Sequence, residues 1–401
     1  MYNLQPIKKD YLRINALIVV LFLYQYGLLL PFAVVISIQY AIILFTVLIF
    51  AFLIATKRIK VTTNSVLLIV TPLTFLILKT PFEYPSFTPE SNIIHQHLLS
   101  FLSIGLSGIL VGSLQFSNTS FLCYGYKVAW INFLLLFIFP FTSYYGTTDV
   151  TINYMRFGYA ILPSVIFSFL FVIKSKKKYF AIILFIGSFI EMLVFGARGA
   201  SFTFLLFVVL YFLLPTGISI RKRLLFIILT LPLLIFLPYI AEAIIKLSDH
   251  LNISSYTINK FTRMLEGETI QEVSSGRDFI YKTAIDRIEK FPLFGSPFNS
   301  AYKDLGIDYY HNFFLDLIVN FGIPIFLIMT FVYLYFLINI FRFGAESIRI
   351  VALILISISL GRLLVSSDIW SRPEFWLMMG YIINFNKKKT LCAYPTTKTA
   401  Y

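Results

Sequence analysis

A chain of 401 residues that is 58% hydrophobic and 18% aromatic, with only 13% charged residues, is too apolar for a water-soluble globular protein. It reads as a polytopic membrane protein. The net charge of +14 would point to nucleic acid if it were spread evenly, but the basic residues come in short clusters between apolar runs, so no nucleic-acid partner is expected and the charges report topology.

Apolar runs of roughly 17 to 25 residues reach across about 30 Å of hydrocarbon at 1.5 Å per residue. Twelve are read, near 14–30, 33–56, 64–79, 97–115, 127–145, 158–174, 179–195, 200–215, 224–245, 312–341, 349–366 and 373–386, the last being short. The fold class expected is an all-α integral membrane protein of about 12 transmembrane helices, one domain over 1–401. The leading MYNLQPIKKDYLR enters the first run without a small-residue cleavage site, which reads as a retained span. Gly27 and Pro31 are the only turn signals between the first two runs. With the N-terminus in the cytoplasm and strict alternation, 20 of the 33 basic residues fall on the cytoplasmic side against only Asp10 and Glu346 among the acids, as the positive-inside bias requires. Both termini are then cytoplasmic. Cys123 and Cys392 lie on that side too, so no disulfide is expected.

Three outer connections carry the polar content: the Pro-rich 80–96, then 146–157 with Arg156 near its end, and the large loop 246–311. Within the third, Phe279, Ala284, Ile285 and Ile288 recur at near-helical spacing among charged residues, predicting an amphipathic helix against the outer membrane face that stops at Phe291-Pro292. Short amphipathic helices are therefore expected inside this loop.

The chemistry-bearing residues gather on the outer side. Arg198, between glycines at a tight turn where two apolar runs meet, suits a phosphate clamp through its planar fork of donors; it equally suits a lipid headgroup contact or a helix cap. Glu191 lies two helical turns earlier, either its partner or a polar bundle residue. Arg277 follows Ser274-Ser275-Gly276, a helix-start signal, and reads either as a site cation or as an exposed loop charge. His311 opens the tenth run, where a neutral imidazole suits a general base toward a hydroxyl or a hydrogen-bonded interfacial role. Asn312, Asp316 and Asn320 repeat every four residues and give that span one polar face. Arg362 and Arg372 add two cations near the outer surface; Asp368 is expected to pair with Arg372, and Trp370 to anchor at the interface. His95 and His97 have no Cys or Glu at ligand spacing, so no metal is expected. Nucleotide-binding loops and hydrolase motifs are missing as well.

Taken together, Gly-Ala-Arg-Gly-Ala, Ser-Gly-Arg-Asp-Phe with Phe-Pro-Leu-Phe-Gly, and Tyr-His-Asn-Phe-Phe-Leu-Asp with a downstream Phe-Gly-Ile resemble the O-antigen polymerase and O-antigen ligase superfamily. The likeness is specific over about 190–375. Asp316 stands where many relatives have Glu, and the segment after Gly295 lacks a second glycine often seen there. The resemblance implies a bacterial inner-membrane glycosyltransferase that needs neither cofactor nor metal. It would move a glycan from an undecaprenyl-diphosphate carrier to a hydroxyl on the periplasmic face. Carried over by residue, Arg198 and Arg277 hold the diphosphate and His311 activates the hydroxyl, with Arg372 and Arg156 as phosphate or sugar contacts; Arg362, by its place near the outer surface, and Asn312 and Asp316, by their spacing, join them as candidate diphosphate or sugar contacts. The implied partners are the undecaprenyl-diphosphate-linked oligosaccharide, membrane lipids and a candidate chain-length regulator protein. A single His-Asn followed by a Leu-acid pair looks more like the polymerase branch than the ligase branch. A lipid-linked oligosaccharide flippase is a further alternative, disfavoured by the large outer loop and by charges that lie near span ends.

Overall fold

A computed structural model describes residues 4–34, 38–58, 62–79, 91–145, 154–175, 178–196, 198–214, 216, 221, 246, 277–297, 300–307, 309–366 and 368–385. Every element among the described residues is helical. That is what a lipid environment demands, since a backbone without water must satisfy its own hydrogen bonds. The helices are α1 (Leu4–Leu29), α2 (Ile38–Ala55), α3 (Thr63–Lys79), α4 (Ser91–Ser100), α5 (Leu106–Ser113), α6 (Asn118–Tyr145), α7 (Tyr154–Lys174), α8 (Tyr179–Phe195), α9 (Arg198–Leu213), α10 (Arg277–Lys290), α11 (Ser300–Leu305), α12 (Phe313–Phe321), α13 (Ile323–Phe343), α14 (Glu346–Ser366) and α15 (Pro373–Ile383). Among the described residues six helices are long and apolar enough to cross a membrane, and four shorter apolar helices accompany them. The ninth predicted span, 224–245, and half of the large loop, chiefly 247–276, lie outside the described residues.

Several expectations need correction. Gly27 is no turn: α1 continues through it to Leu29, and a Cβ there would come within 1.9 Å of Asn132 Oδ1, so the residue is a close helix-crossing point. The fourth predicted span starts earlier, and a π-helical turn at Phe101–Gly105 joins α4 to α5. The tenth predicted span is not one helix. It breaks at Gly322, whose φ of 80° only glycine adopts easily and where a Cβ would meet the Leu293 carbonyl oxygen at 2.3 Å. Pro324 then sits in the first turn of α13, a position that costs no hydrogen bond.

In the large loop α10 ends at Lys290 as expected, but its inward face is Ile280, Ala284 and Ile288, with Phe279 67% and Ile285 49% exposed. Five residues separate Phe279 from Ala284, which at 100° each turns the two side chains about 140° apart. Ala284, Ala301, Tyr310 and Val319 form a small core of their own, so α10, α11 and α12 make a unit on top of the bundle. Arg287 on α10 fixes Asp304 on α11, its Nε donating to Oδ2 at 2.6 Å.

The main core is a bundle in which α14 is central and α13 peripheral: 78% of the α14 span is buried but only 6% of the α13 span. Helices in lipid gain from close packing rather than from water release, so small residues mark their tightest crossings. Gly108 and Gly112 of α5 lie against Trp376 and Leu377 of α15, and Gly380 of α15 lies against Ile109. This contact fixes α15, which carries the 368–372 turn at its start.

Contacts pair residues by end. At one end Arg58 donates to the Tyr11 carbonyl and to Asn15, Lys174 meets Glu346, and Thr62 donates to Asn384. At the other end α1 brings Tyr26 to Arg372.

Candidate active site

The end of the bundle capped by α10 to α12 holds the polar cluster. Arg362 on α14 is 6% exposed, enclosed by the Tyr26 ring at 4.9 Å and the Tyr159 ring at 4.8 Å, and its Nη1 donates to Glu374 Oε1 at 3.5 Å. A guanidinium stacked on two aromatic faces and facing a carboxylate is one of the few ways to keep a charge inside an apolar bundle. Arg362 is thus committed to internal partners. Ten residues on, Arg372 is half-buried and donates from Nη1 to the Tyr26 hydroxyl at 3.3 Å. Tyr26 therefore joins the two arginines.

The expected Asp368–Arg372 pair takes another form. Asp368 accepts the Trp370 and Ser371 backbone N–H groups at 2.8 and 3.0 Å and the Ser371 hydroxyl at 2.7 Å, closing the turn before α15. Burial alone would raise its pKa, but His97, Arg372 and the Ser371 hydrogen bonds outweigh that and hold it below the usual carboxylate range. Trp370 is only 2% exposed and packs against the rings of His97, Phe101 and Trp376, so it is a core residue of the turn and no interfacial anchor.

His311 lies across from this turn. It is half-buried, has φ of 56°, and lies against the Tyr309 ring with centroids 4.5 Å apart and planes tilted by 58°. A left-handed backbone at a residue with a Cβ costs roughly 1–2 kcal/mol and calls for surroundings that hold it. Burial lowers the His311 pKa, and the nearby Arg277 charge lowers it further, so the imidazole is neutral at pH 7. Among the described residues its Nδ1 has no hydrogen-bonding partner. Asn312 caps α12, accepting from Phe314 N at 3.0 Å and Leu315 N at 3.3 Å. Asp316, 8% exposed, accepts the Tyr310 N–H at 2.8 Å through Oδ1 while Oδ2 has no partner among the described residues. Burial drives the Asp316 pKa up to about 8; the Tyr310 hydrogen bond opposes that shift and Asp368 adds to it.

A small cleft lined by His97, Tyr309, Asp316, Asn320, Asp368 and Trp370 separates α12 from the 368–372 turn. Its solvent-accessible room of ≈ 20 Å³ suits a water molecule and not a sugar ring.

Of the predicted site residues, Arg277, His311, Asn312, Asp316, Arg362 and Arg372 belong to one continuous assembly. Arg156 and Arg198 mark a neighbouring corner. Arg156 is exposed at the start of α7, and Arg198 opens α9 after a turn whose Gly196 lies against Gly158. The Arg198 side chain lies outside the described residues. Glu191 is 4% exposed, and neither of its carboxylate oxygens has a hydrogen-bonding partner among the described residues. Sequence reasoning missed Tyr26, Tyr159 and Glu374 and set His97 aside. The one available signal was Glu374, an acid two residues after an arginine at the head of an apolar run.

The fold and this cluster define a helical membrane-type protein with an arginine-rich polar cluster, which includes His311 and His97, at one end of its bundle. Residues 182–330, from within α8 to the start of α13, match the model of the O-antigen ligase family. The match supports the O-antigen ligase and polymerase superfamily for this chain, a grouping of glycosyltransferase-like enzymes that does not separate the two activities. Among curated proteins none matches the chain.

Proposed function

We propose that this protein is an O-antigen polymerase of the bacterial inner membrane, with twelve spans, cytoplasmic termini and a periplasmic site. It transfers the growing glycan from undecaprenyl diphosphate to a hydroxyl of the next undecaprenyl-diphosphate-linked repeat unit. The observation that supports this reading is His311, half-buried at the polar end of the bundle with its Nδ1 unpartnered among the described residues and with Arg277 near enough to help lower its pKa. A neutral imidazole accepts the proton of the acceptor hydroxyl as that oxygen attacks the anomeric carbon. The bond from that carbon to the diphosphate breaks, and the electron pair leaves with the undecaprenyl diphosphate. Arg277 and Arg198 stabilise the charge growing on the leaving oxygens, with Arg156 and Arg372 as further phosphate or sugar contacts. No step calls for a metal or a cofactor.

A ligase reading, with transfer to lipid A core, is favoured by the description of the matched family. Deleting the gene and separating lipopolysaccharide on a gel distinguishes the two. Core bearing a single repeat unit supports the polymerase, and bare core with carrier-linked polymer supports the ligase. An intact ladder would refute both.

A further inference from the structure

Among the described residues no carboxylate bonds to the His311 ring, whose orientation is set there by its backbone and by Tyr309. The flanking contacts form a bracket. On the N-terminal side the Tyr310 N–H is held at 2.8 Å by Asp316 Oδ1, and the Tyr310 side chain, 1% exposed, is locked in the small outer core with its hydroxyl 3.2 Å from Ser300 Oγ. On the C-terminal side the Asn312 side chain accepts the Phe314 and Leu315 N–H groups in the first turn of α12. The backbone N–H of Asp316 returns to the Asn312 carbonyl at 2.9 Å, so both anchors sit on the first turn of one helix. His311 is the residue between the anchors, and it takes the left-handed conformation that closes the bracket. Spacing alone had offered Asn312 and Asp316 as substrate contacts, yet the Oδ1 atom of each is already occupied by backbone.

We propose that Asn312 and Asp316 are positioning residues, which hold His311 in its left-handed conformation and thereby aim its ring. The inference rests on His311 being the base. Both residues act as hydrogen-bond acceptors, so each tolerates exchange of acid for amide and fails when truncated.

The test uses the full-length protein with lipid-linked repeat unit extracted from a polymerisation-deficient host. Misplacing a reacting group by about 1 Å costs on the order of 10²-fold in rate, so Asp316→Ala and Asn312→Ala are each expected to lower kcat by ~10–100-fold with KM unchanged. Asp316→Asn and Asn312→Asp, which keep the acceptor atom, are expected to restore most of the kcat lost on truncation, again with KM unchanged. The proposal is overturned if Asp316→Asn is as impaired as Asp316→Ala, or if truncation raises KM and spares kcat. If Asp316→Ala does not fold, the Asp316→Asn and Asn312 variants still decide. His311→Ala is run beside them. Substantial turnover in that variant refutes the base itself, whereas an inactive His311→Ala with normal Asn312→Ala and Asp316→Ala refutes only the bracket.

Discussion

Two polar clusters sit at opposite ends of α15, and they are built on different principles. At the Asn384 end Thr62, Ser65, Ser113 and Asn384 form a neutral ring. Thr62 donates to Asn384 at 2.7 Å, Ser65 shares a hydrogen bond with Ser113 at 3.0 Å, and Asn384 donates to Ser113 at 3.0 Å. None of these side chains has a buried polar atom left over. At the Arg372 end the groups are ionisable, the charged arginines among them, and His311 Nδ1, Asp316 Oδ2, Arg372 Nε and Glu374 Oε2 have no partner among the described residues. A completed neutral network is what a structural joint needs, because each unmet polar group in an apolar bundle is costly. Charged groups kept partly unmet, with shifted pKa values, are what a site for an ionic substrate needs.

The contrast is tested most severely by His311→Ala, expected to lower turnover by ~10²–10⁴-fold without loss of protein, as for other general bases. A normal lipopolysaccharide ladder from that variant would break the comparison at its charged end. Arg277→Gln is expected to cost ~10²–10³-fold, with Arg277→Lys recovering part of it, as for groups that stabilise transition-state charge. At the neutral end the expectation reverses. Asn384→Leu leaves several buried hydroxyls short of a partner, so melting of the detergent-solubilised protein should reveal a loss of about 1–3 kcal/mol while kcat of the folded fraction is unchanged. A drop in kcat there would mean that both ends serve catalysis.

Two pH effects sharpen the picture further. His311 must be neutral to act, and its pKa lies below the usual 6.5, so activity should persist into mildly acidic buffer and fall only as pH drops through the lowered value. In Arg277→Gln the residual activity should lose its acid limb at higher pH, since one cause of the lowering is gone. The Asp316 sign is opposite. Its folded pKa is raised to about 8 against 3.8 in the unfolded chain, so its contribution to stability is greatest below 3.8 and declines as pH rises toward 8. Asp316→Asn removes that decline, and its melting temperature should exceed that of the parent by a margin that widens between pH 4 and pH 8.

The helical architecture was legible because lipid leaves so few alternatives to a helix, and long apolar runs announce themselves. Arg277, His311 and Arg372 stood out for a related reason: ionisable groups are scarce in this chain, and each one needs an explanation. Tyr26 and Tyr159 carried no such mark among 25 tyrosines, and only packing shows that two of them enclose Arg362. Asp368 and Arg372 were correctly placed near each other, but the backbone of the turn competed for the carboxylate and won. Asn312 and Asp316 were found by their spacing, but that periodicity identifies only a shared face and does not say that the chain folds back so that the Oδ1 of each accepts backbone N–H groups. Phe279 was assigned to the buried stripe of α10 by a loose count of helical turns.

The break at Gly322 separates α12, which carries the bracket, from α13, a peripheral helix with one face against the core and the other exposed. Around the break the Ile323 N–H donates to the Pro292 carbonyl at 2.8 Å and the Ser296 N–H to the Val319 carbonyl at 2.6 Å, while Lys79 holds the Phe294 and Ser296 carbonyls at 2.9 and 3.0 Å. α12 is thereby tied to the 292–296 strap and to α3 rather than running on as the upper part of a lipid-facing rod. Had the two been one helix, any tilt by which α13 met a thicker or thinner bilayer would have swung His311 directly. With the break in place, the position of His311 is set by contacts to the 292–296 strap and α3 and not by the direction of α13.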